Sequence, residues 1–221
     1  MPADAMPPEA QARLIQRFGR KYSAGQVIFQ ETDPGAECFI LQEGRVRLVK
    51  RVRLVEKSLL ILRPGDLFGE SALLESAPRT STAVAMTDVV LLALDAHTFE
   101  TLMTSDSAVA LRLVRLLVRR VREAEDQIEN MLLRDNQSKI VNTLLKLCDE
   151  RAATGQSPVF SLSPIELSSR VGLDVDAVKR GVAQLRDAQY LVISEEQITI
   201  SDMEALRGLY RLLGMKEELR R

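Results

Sequence analysis

The chain has little cysteine and less histidine: Cys38, Cys148 and His97 are all it holds. Two cysteines so far apart supply no zinc or iron–sulfur ligand set on their own. Their scarcity suits reduced thiols and a cytoplasmic location, not a disulfide framework. No apolar run reaches the length of a membrane span; Val89-Val90-Leu91-Leu92-Ala93-Leu94 has only the size of a strand. The N-terminus, Met1-Pro2-Ala3-Asp4-Ala5, lacks the basic and then apolar pattern of a signal peptide. The net charge is −1, so any contact with nucleic acid must come from a local patch. No nucleophile–base pair, metal-ligand cluster or Gly-rich triphosphate loop is present, which argues against an enzyme.

What remains is an ordinary globular composition. The 221 residues are 46% hydrophobic and 28% charged, enough for one or two domains. Residues Pro7 to Phe18 read as a short amphipathic helix with Leu14 and Ile15 facing inward. Tyr22 to Val55 is β-rich, with turns at Gly25, Asp33-Pro34-Gly35 and Glu43-Gly44. A small repeat, Val46-Arg47-Leu48-Val49 and Val52-Arg53-Leu54-Val55, predicts a hairpin with Lys50 and Arg51 between its arms. Its basic residues read as a solvated face.

The stretch around which the chain is organised is Phe68-Gly69-Glu70-Ser71-Ala72-Leu73-Leu74, closing with Pro78-Arg79-Thr80-Ser81-Thr82. Gly69 lets the backbone pass close to a ligand. Ser71 to Leu74 read as one helical turn whose free N–H groups suit an anion. Arg79 supplies a flat, permanently charged fork for phosphate oxygens. An ionised Glu70 only accepts hydrogen bonds, as a ribose hydroxyl requires. A plainer alternative is a β-roll turn in which Glu70 and Arg79 pair with each other.

This stretch resembles the phosphate-binding cassette of cyclic-nucleotide-binding domains, F-G-E-x-A-L-L followed by P-R-x-x-T, without a gap from Phe68 to Thr82. The resemblance implies a cyclic nucleotide held by Gly69, Glu70, Ser71, Ala72 and Arg79. Gly25 to Gly35 and Phe39 to Val46 also resemble the β-roll of that family. Thr32 departs from it, standing where the family has Gly in its E-G-D-P-G turn.

Ala108 to about Leu133 predicts a long helix free of Pro and Gly. Val114, Val118, Val121, Glu125, Ile128 and Leu132 alternate by four and three, the seam of a two-stranded coiled coil and hence of a homodimer. Glu125 is the odd member, because two symmetry-related carboxylates would approach each other there. In the family this helix passes over the base. The cAMP-binding bacterial members carry two hydroxyl residues where this chain has Ala124 and Glu125. A carboxylate suits the adjacent donors of guanine, and Thr80 resembles the residue that favours cGMP in some kinase domains. Both cAMP and cGMP therefore stay open as the effector.

Asp135-Asn136-Gln137 reads as a hinge before a second domain. Ser163-Pro164-Ile165-Glu166 is a capping box with Pro at the first helical position. That helix runs to Val171 and ends at Gly172. Asp174 caps the next, from Val175 to Arg186. Two short helices joined through Gly make a helix-turn-helix. Leu191 to Ser194 and Gln197 to Ile200 form a hairpin wing, and a terminal helix ends near Leu213-Gly214. This half resembles the winged helix of the cAMP-receptor and fumarate-nitrate-regulator family, Crp/Fnr. The domain order agrees from about Phe18 to Leu213. The resemblance places Val175, Asp176, Lys179 and Arg180 against DNA, with Arg180 suited to guanine and Asp176 to cytosine. Arg170 and Arg186 cluster nearby, while Glu195-Glu196 put negative charge at the wing tip.

The expected fold is α+β: a jelly-roll-like cyclic-nucleotide-binding β-roll over 1–106, a dimerisation helix over 107–134 and a winged helix-turn-helix over 135–221. The expected protein is a dimeric, ligand-responsive regulator of transcription. Its implied partners are double-stranded DNA, a cyclic nucleotide, a second copy of itself and RNA polymerase, with no membrane, metal or tightly held cofactor. A carbon-monoxide sensor of the family ligates haem through a histidine and an N-terminal proline. Pro2 is present here, but a lone surface His97 argues against haem. Two rivals stay open: a regulator with a vestigial pocket, and a nucleotide-binding protein that has lost DNA.

Overall fold

The computed structural model describes residues 15–53, 55–153, 155–157, 159–194 and 197–218. Of the expected first helix, residues 15–18 are helical; Pro7 to Leu14 lie outside the described residues, as do Pro2, Glu195 and Glu196. The chain divides into two compact units between Arg119 and Arg120.

The first unit is built on two four-stranded antiparallel sheets. One contains β1 (Gly19–Tyr22), β8 (Val89–Asp95), β3 (Glu37–Glu43) and β6 (Leu67–Phe68), in that order. The other contains β2 (Val27–Phe29), β7 (Thr82–Ala85), β4 (Val46–Val52) and β5 (Val55–Leu62). Alternation along the strands sends one set of side chains inward. Phe39, Leu41, Val46, Leu62, Phe68, Ala83 and Leu91 meet there as one apolar core.

The expected hairpin is corrected here. β4 runs straight through Lys50 and Arg51, which face Lys57 and Glu56 on β5. The chain turns only after Val52, where Arg53 takes a left-handed φ of 58°. The strand continues because Arg47 and Arg51 find an acidic neighbour across it, Arg47 Nη2 lying 3.0 Å from Glu56. Lys50 faces a like charge in Lys57, and its ammonium instead reaches Glu31 at 3.5 Å and the carbonyl of Thr80 at 3.2 Å.

Three helices follow from these sheets: α1 (Glu70–Glu75), α2 (Ala96–Ser105) and α3 (Ser107–Leu132). Asp95 caps α2 by accepting from Thr98 N. Cys38, Leu67, Leu94, Phe99 and Leu116 form a second apolar cluster, joined by Leu113. The first half of α3 is thereby fixed to its own unit.

The second unit holds α4 (Asn136–Ala153), α5 (Pro164–Val171), α6 (Val175–Asp187) and α7 (Met203–Glu218). A three-stranded sheet joins them, with β11 (Gln197–Ile200) between β10 (Leu191–Ser194) and β9 (Val159–Ser161). The capping box at Ser163 and Glu166 is formed, and Gly172 ends α5 at φ 79°. Ile140, Leu144, Leu167, Val178, Leu185, Leu191 and Leu206 make the core. Gly181 lets α6 lie against α4, since a Cβ there would stand 2.3 Å from Ile140 Cδ1. The terminal helix does not stop near Gly214. It continues to Glu218 because Gly214 keeps an ordinary φ and Met215 and Lys216 are good helix formers. The architecture is thus a β-roll, a long helix and a winged helix-turn-helix.

Candidate functional site

Phe68 is fully buried and anchors the start of the cassette. Gly69 follows with φ 78°, a left-handed conformation that a side chain would strain. A Cβ there would also lie 2.5 Å from Arg79 Nη1. Gly69 begins α1, which carries Glu70, a half-buried Ser71 and a buried Ala72. Arg79 is only 6% exposed. Its Nη1 donates to the carbonyl of Gly69 and its Nη2 to that of Glu37, both at 2.7 Å. The guanidinium lies 4.3 Å from the Phe29 ring centroid and 5.6 Å from that of Phe39. Its Nε is buried and has no hydrogen-bond partner among the described residues.

Burial lowers the pKa of Arg79, while Cys38, Glu37, Asp33 and Glu70 oppose that shift. Burial, reinforced by Glu70, pushes the Cys38 thiol up to about 12, so it stays a neutral core group. Arg79 is also held by its backbone. Thr32 N donates to Arg79 O at 2.9 Å, and Arg79 N donates to Asp33 O at 2.8 Å. That turn contains Thr32 at φ 74°, where the family has Gly. A β-branched residue there is strained. Gly35 packs on the same group: a Cβ there would meet Ala72 Cβ at 2.3 Å and Arg79 Nε at 3.2 Å.

The structure therefore brings Gly69, Glu70, Ala72 and Arg79 together, with Ser71 on the same turn. Thr80 is exposed and uses its carbonyl to accept from Lys50. Sequence reasoning missed Phe29 and Glu37 and read Thr32, Asp33 and Gly35 only as a turn; together they build the seat of Arg79. Phe29 reads as ordinary strand core.

On α3, Val114, Val118, Val121, Ile128 and Leu132 are all exposed, Leu132 to 79%. Ala124 and Glu125 are exposed too, in the second unit. Also in that unit, Asp176, Lys179 and Arg180 are exposed on α6 and Val175 is half-buried. Asp174 is spent on capping: Ala177 N donates to it at 2.7 Å and holds the carboxyl below its ordinary range, with Arg180 adding to the effect. Arg170 is 3.6 Å from Glu123, and Arg186 pairs with Asp187 at 2.8 Å. Lys179 and Arg180 have no ion-pair partner among the described residues. The basic cluster therefore narrows to those two.

His97 lies exposed on α2, and no group of three or more metal-ligating side chains converges among the described residues. No described helix is long and apolar enough to cross a membrane.

The family of cyclic nucleotide-binding domains matches residues 19–106. The chain is 33% identical over 175 residues to the cyclic AMP receptor protein of Thermus thermophilus, covering 79% of each chain. It is 25% identical over 190 residues to a CRP-like cAMP-activated global transcriptional regulator of Mycobacterium tuberculosis, covering 84% of each. Among solved structures, a CooA mutant from Carboxydothermus hydrogenoformans superposes with a TM-score of 0.74 at 18% identity, over 94% of this chain and 97% of that one. At that identity the superposition speaks for the fold alone. The Thermus match and the shared cassette carry the assignment further: the chain belongs to the Crp/Fnr family of transcriptional regulators.

Proposed function

We propose that the chain is a homodimeric DNA-binding regulator of transcription, acting with RNA polymerase and controlled by a 3′,5′-cyclic nucleotide held at Gly69, Glu70, Ser71, Ala72 and Arg79. The observation that carries this reading is the state of Arg79. It is a permanent cation, 6% exposed, whose Nη atoms meet only neutral carbonyls and whose Nε has no partner among the described residues. A buried charge calls for an opposite one, and a cyclic phosphate supplies an anionic oxygen at Nε. Glu70 is the acceptor for the ribose hydroxyl. Thr80 and Glu125 are the candidates for reading the base. Similarity to the cyclic AMP receptor protein of Thermus and the cAMP-activated regulator of Mycobacterium favours cAMP, while the carboxylate of Glu125 favours guanine.

The exposed stripe of α3 supports the homodimer, since an apolar seam of this length is costly in water. We assign the cyclic-nucleotide-binding domain to 1–106, the dimer helix to 107–134 and the DNA-binding domain to 135–221. Asp176, Lys179 and Arg180, with Val175 beside them, are the reading face of α6. The test is an operator selected from random duplexes by the full-length protein. Arg180→Ala should weaken its binding by about 1–3 kcal/mol and relax one guanine position. Unchanged affinity and specificity would remove Arg180 from the reader set.

A second reading, with a vestigial pocket, draws on one observation. Two nitrogens of Arg79 already donate to backbone carbonyls, which is a structural role in itself. Under it, operator binding is the same with and without nucleotide, and Arg79→Lys lowers stability alone.

A further inference from the structure

Two local costs meet beside Arg79. The first is Thr32, a β-branched residue held at φ 74°. The second is Lys50. Strand β4 carries Val46 and Leu48 to the apolar core of the first unit, and alternation puts Lys50 on the same side. The extra residue of the irregularity beside it, Leu59, belongs to β5, so β4 keeps its period. An apolar side chain is the ordinary choice at such a position. Lys50 also stands directly across from Lys57, and like charges so placed are destabilising. Costs of this kind collect at functional sites.

Both costs fall on the same two segments. Glu31 N donates to Thr82 Oγ1 at 2.9 Å, Thr32 N to Arg79 O at 2.9 Å, and Arg79 N to Asp33 O at 2.8 Å. These bonds lay residues 31–33 alongside residues 79–82. The Lys50 ammonium spans both, 3.5 Å from Glu31 Oε1 and 3.2 Å from the carbonyl of Thr80, the residue after Arg79. The side chain of Lys50 is 44% exposed and that of Glu31 27%, so the pair adds little to global stability. It does tie the peptide at Thr80 to the strained turn. The guanidinium of Arg79 keeps its place only while its own backbone keeps the same.

On the reading of the cassette as a cyclic-nucleotide site, we infer that Lys50 is a positioning residue of that site. With Glu31 it braces the peptide at Thr80 and holds Arg79 ready for the cyclic phosphate. A brace of this kind acts by pre-organisation: affinity falls with the share of molecules in which Arg79 is in place.

Two measurements on the full-length protein test this, with wild type beside Lys50→Met and Lys50→Arg. One is hydrogen exchange of the ligand-free chain; the other is isothermal titration with cAMP and with cGMP. Met keeps the apolar stem and removes the charge. In Lys50→Met the amides of Thr32 and Arg79 should exchange at least about tenfold faster, while those of the β3–β8 pair keep their protection. The Kd of a nucleotide that the wild type binds should rise about tenfold, as for a competent share cut to about a tenth. The melting temperature of the free protein should change by less than about 4 °C. Lys50→Arg keeps the charge and its donors and should stay close to the wild type in exchange and in Kd. Faster exchange with an unchanged Kd would make Lys50 a structural residue only and overturn the inference. So would unchanged exchange, a larger loss of melting temperature, or a Lys50→Arg variant as weak as Lys50→Met. Binding of neither nucleotide by the wild type would show instead that the reading of the site has failed, and the inference would fall with it.

Discussion

The two halves of α3 face their own units through the same heptad position but opposite chemistry. Leu116 inserts into an apolar cluster with Phe99 and Leu94, whereas Asn130, fourteen residues on and again buried, enters a polar network with Thr143 and Asn142. Apolar contact is tolerant of small displacement, because its free energy follows area. The polar contact is not, because its geometry is specific. One end of the helix can therefore settle against the first unit while the other is locked in register with α4.

That contrast can be broken at either end. Leu116→Ala should cost about 2–4 kcal/mol, visible as earlier melting of the first unit in calorimetry. Asn130→Ala should cost about 1–3 kcal/mol and act on the second unit instead. Asn130→Ala and Asn142→Ala together should cost less than their sum, because each already orphans the other. Equal effects on both units from either change would erase the distinction.

A smaller effect sharpens the comparison from the cassette side. Thr32→Gly should stabilise the first unit by about 1 kcal/mol, since it relieves a left-handed β-branched residue. The stabilisation would appear as a higher melting temperature of that unit alone. A loss would mean that the Thr32 side chain contributes more than its backbone costs.

The smallest effect is electrostatic. The hydrogen bond from Lys146 holds Glu129 below the ordinary carboxylate range against the opposing effect of burial. Burial works against the Lys146 ammonium, yet its bonds to Asp126 and Glu129 outweigh that and hold it above the ordinary amine range. The Glu129 contribution is present above the usual carboxylate pKa and disappears as pH falls through the lowered one. The Lys146 contribution is present below the usual amine pKa and disappears as pH rises through the raised one. The pairing of Lys146 with Asp126 and Glu129 should therefore be complete between about pH 5 and pH 10. Thermal melts of the second unit, wild type beside Glu129→Gln, should differ by a constant amount within that window and converge on its acid side. A difference that persists into acid would show that charge is not what Glu129 contributes.

Much of the fold was legible because local signals agree with it. Gly172, Asp174 and the Ser163–Glu166 box end and start helices by backbone chemistry that needs no tertiary partner. The exposed apolar stripe of α3 was legible from its spacing, and the clustering of Gly69, Glu70 and Arg79 from their order. The hairpin turn was misplaced because the repeat suggested two equal arms, while cross-strand charges carried β4 to Val52. The seat of Arg79 stayed hidden because it is made of carbonyls and rings, from Glu37 and Phe29, that carry no motif. Arg170 read as part of the basic cluster near the recognition helix, since nothing in sequence brings Glu123 to it. Asn130 was invisible for the same reason: its partners lie across a chain reversal.

Isothermal titration of the full-length protein with cAMP, cGMP and cyclic di-GMP, wild type beside Arg79→Lys and Glu70→Gln, goes most directly to the central claim. Saturable binding of one 3′,5′-cyclic nucleotide by the wild type, abolished or sharply weakened in both folded variants, is the predicted result, and the preferred base follows from the same data. No heat with any of the three, or binding that neither variant changes, would contradict the account and leave Arg79 as a structural cation.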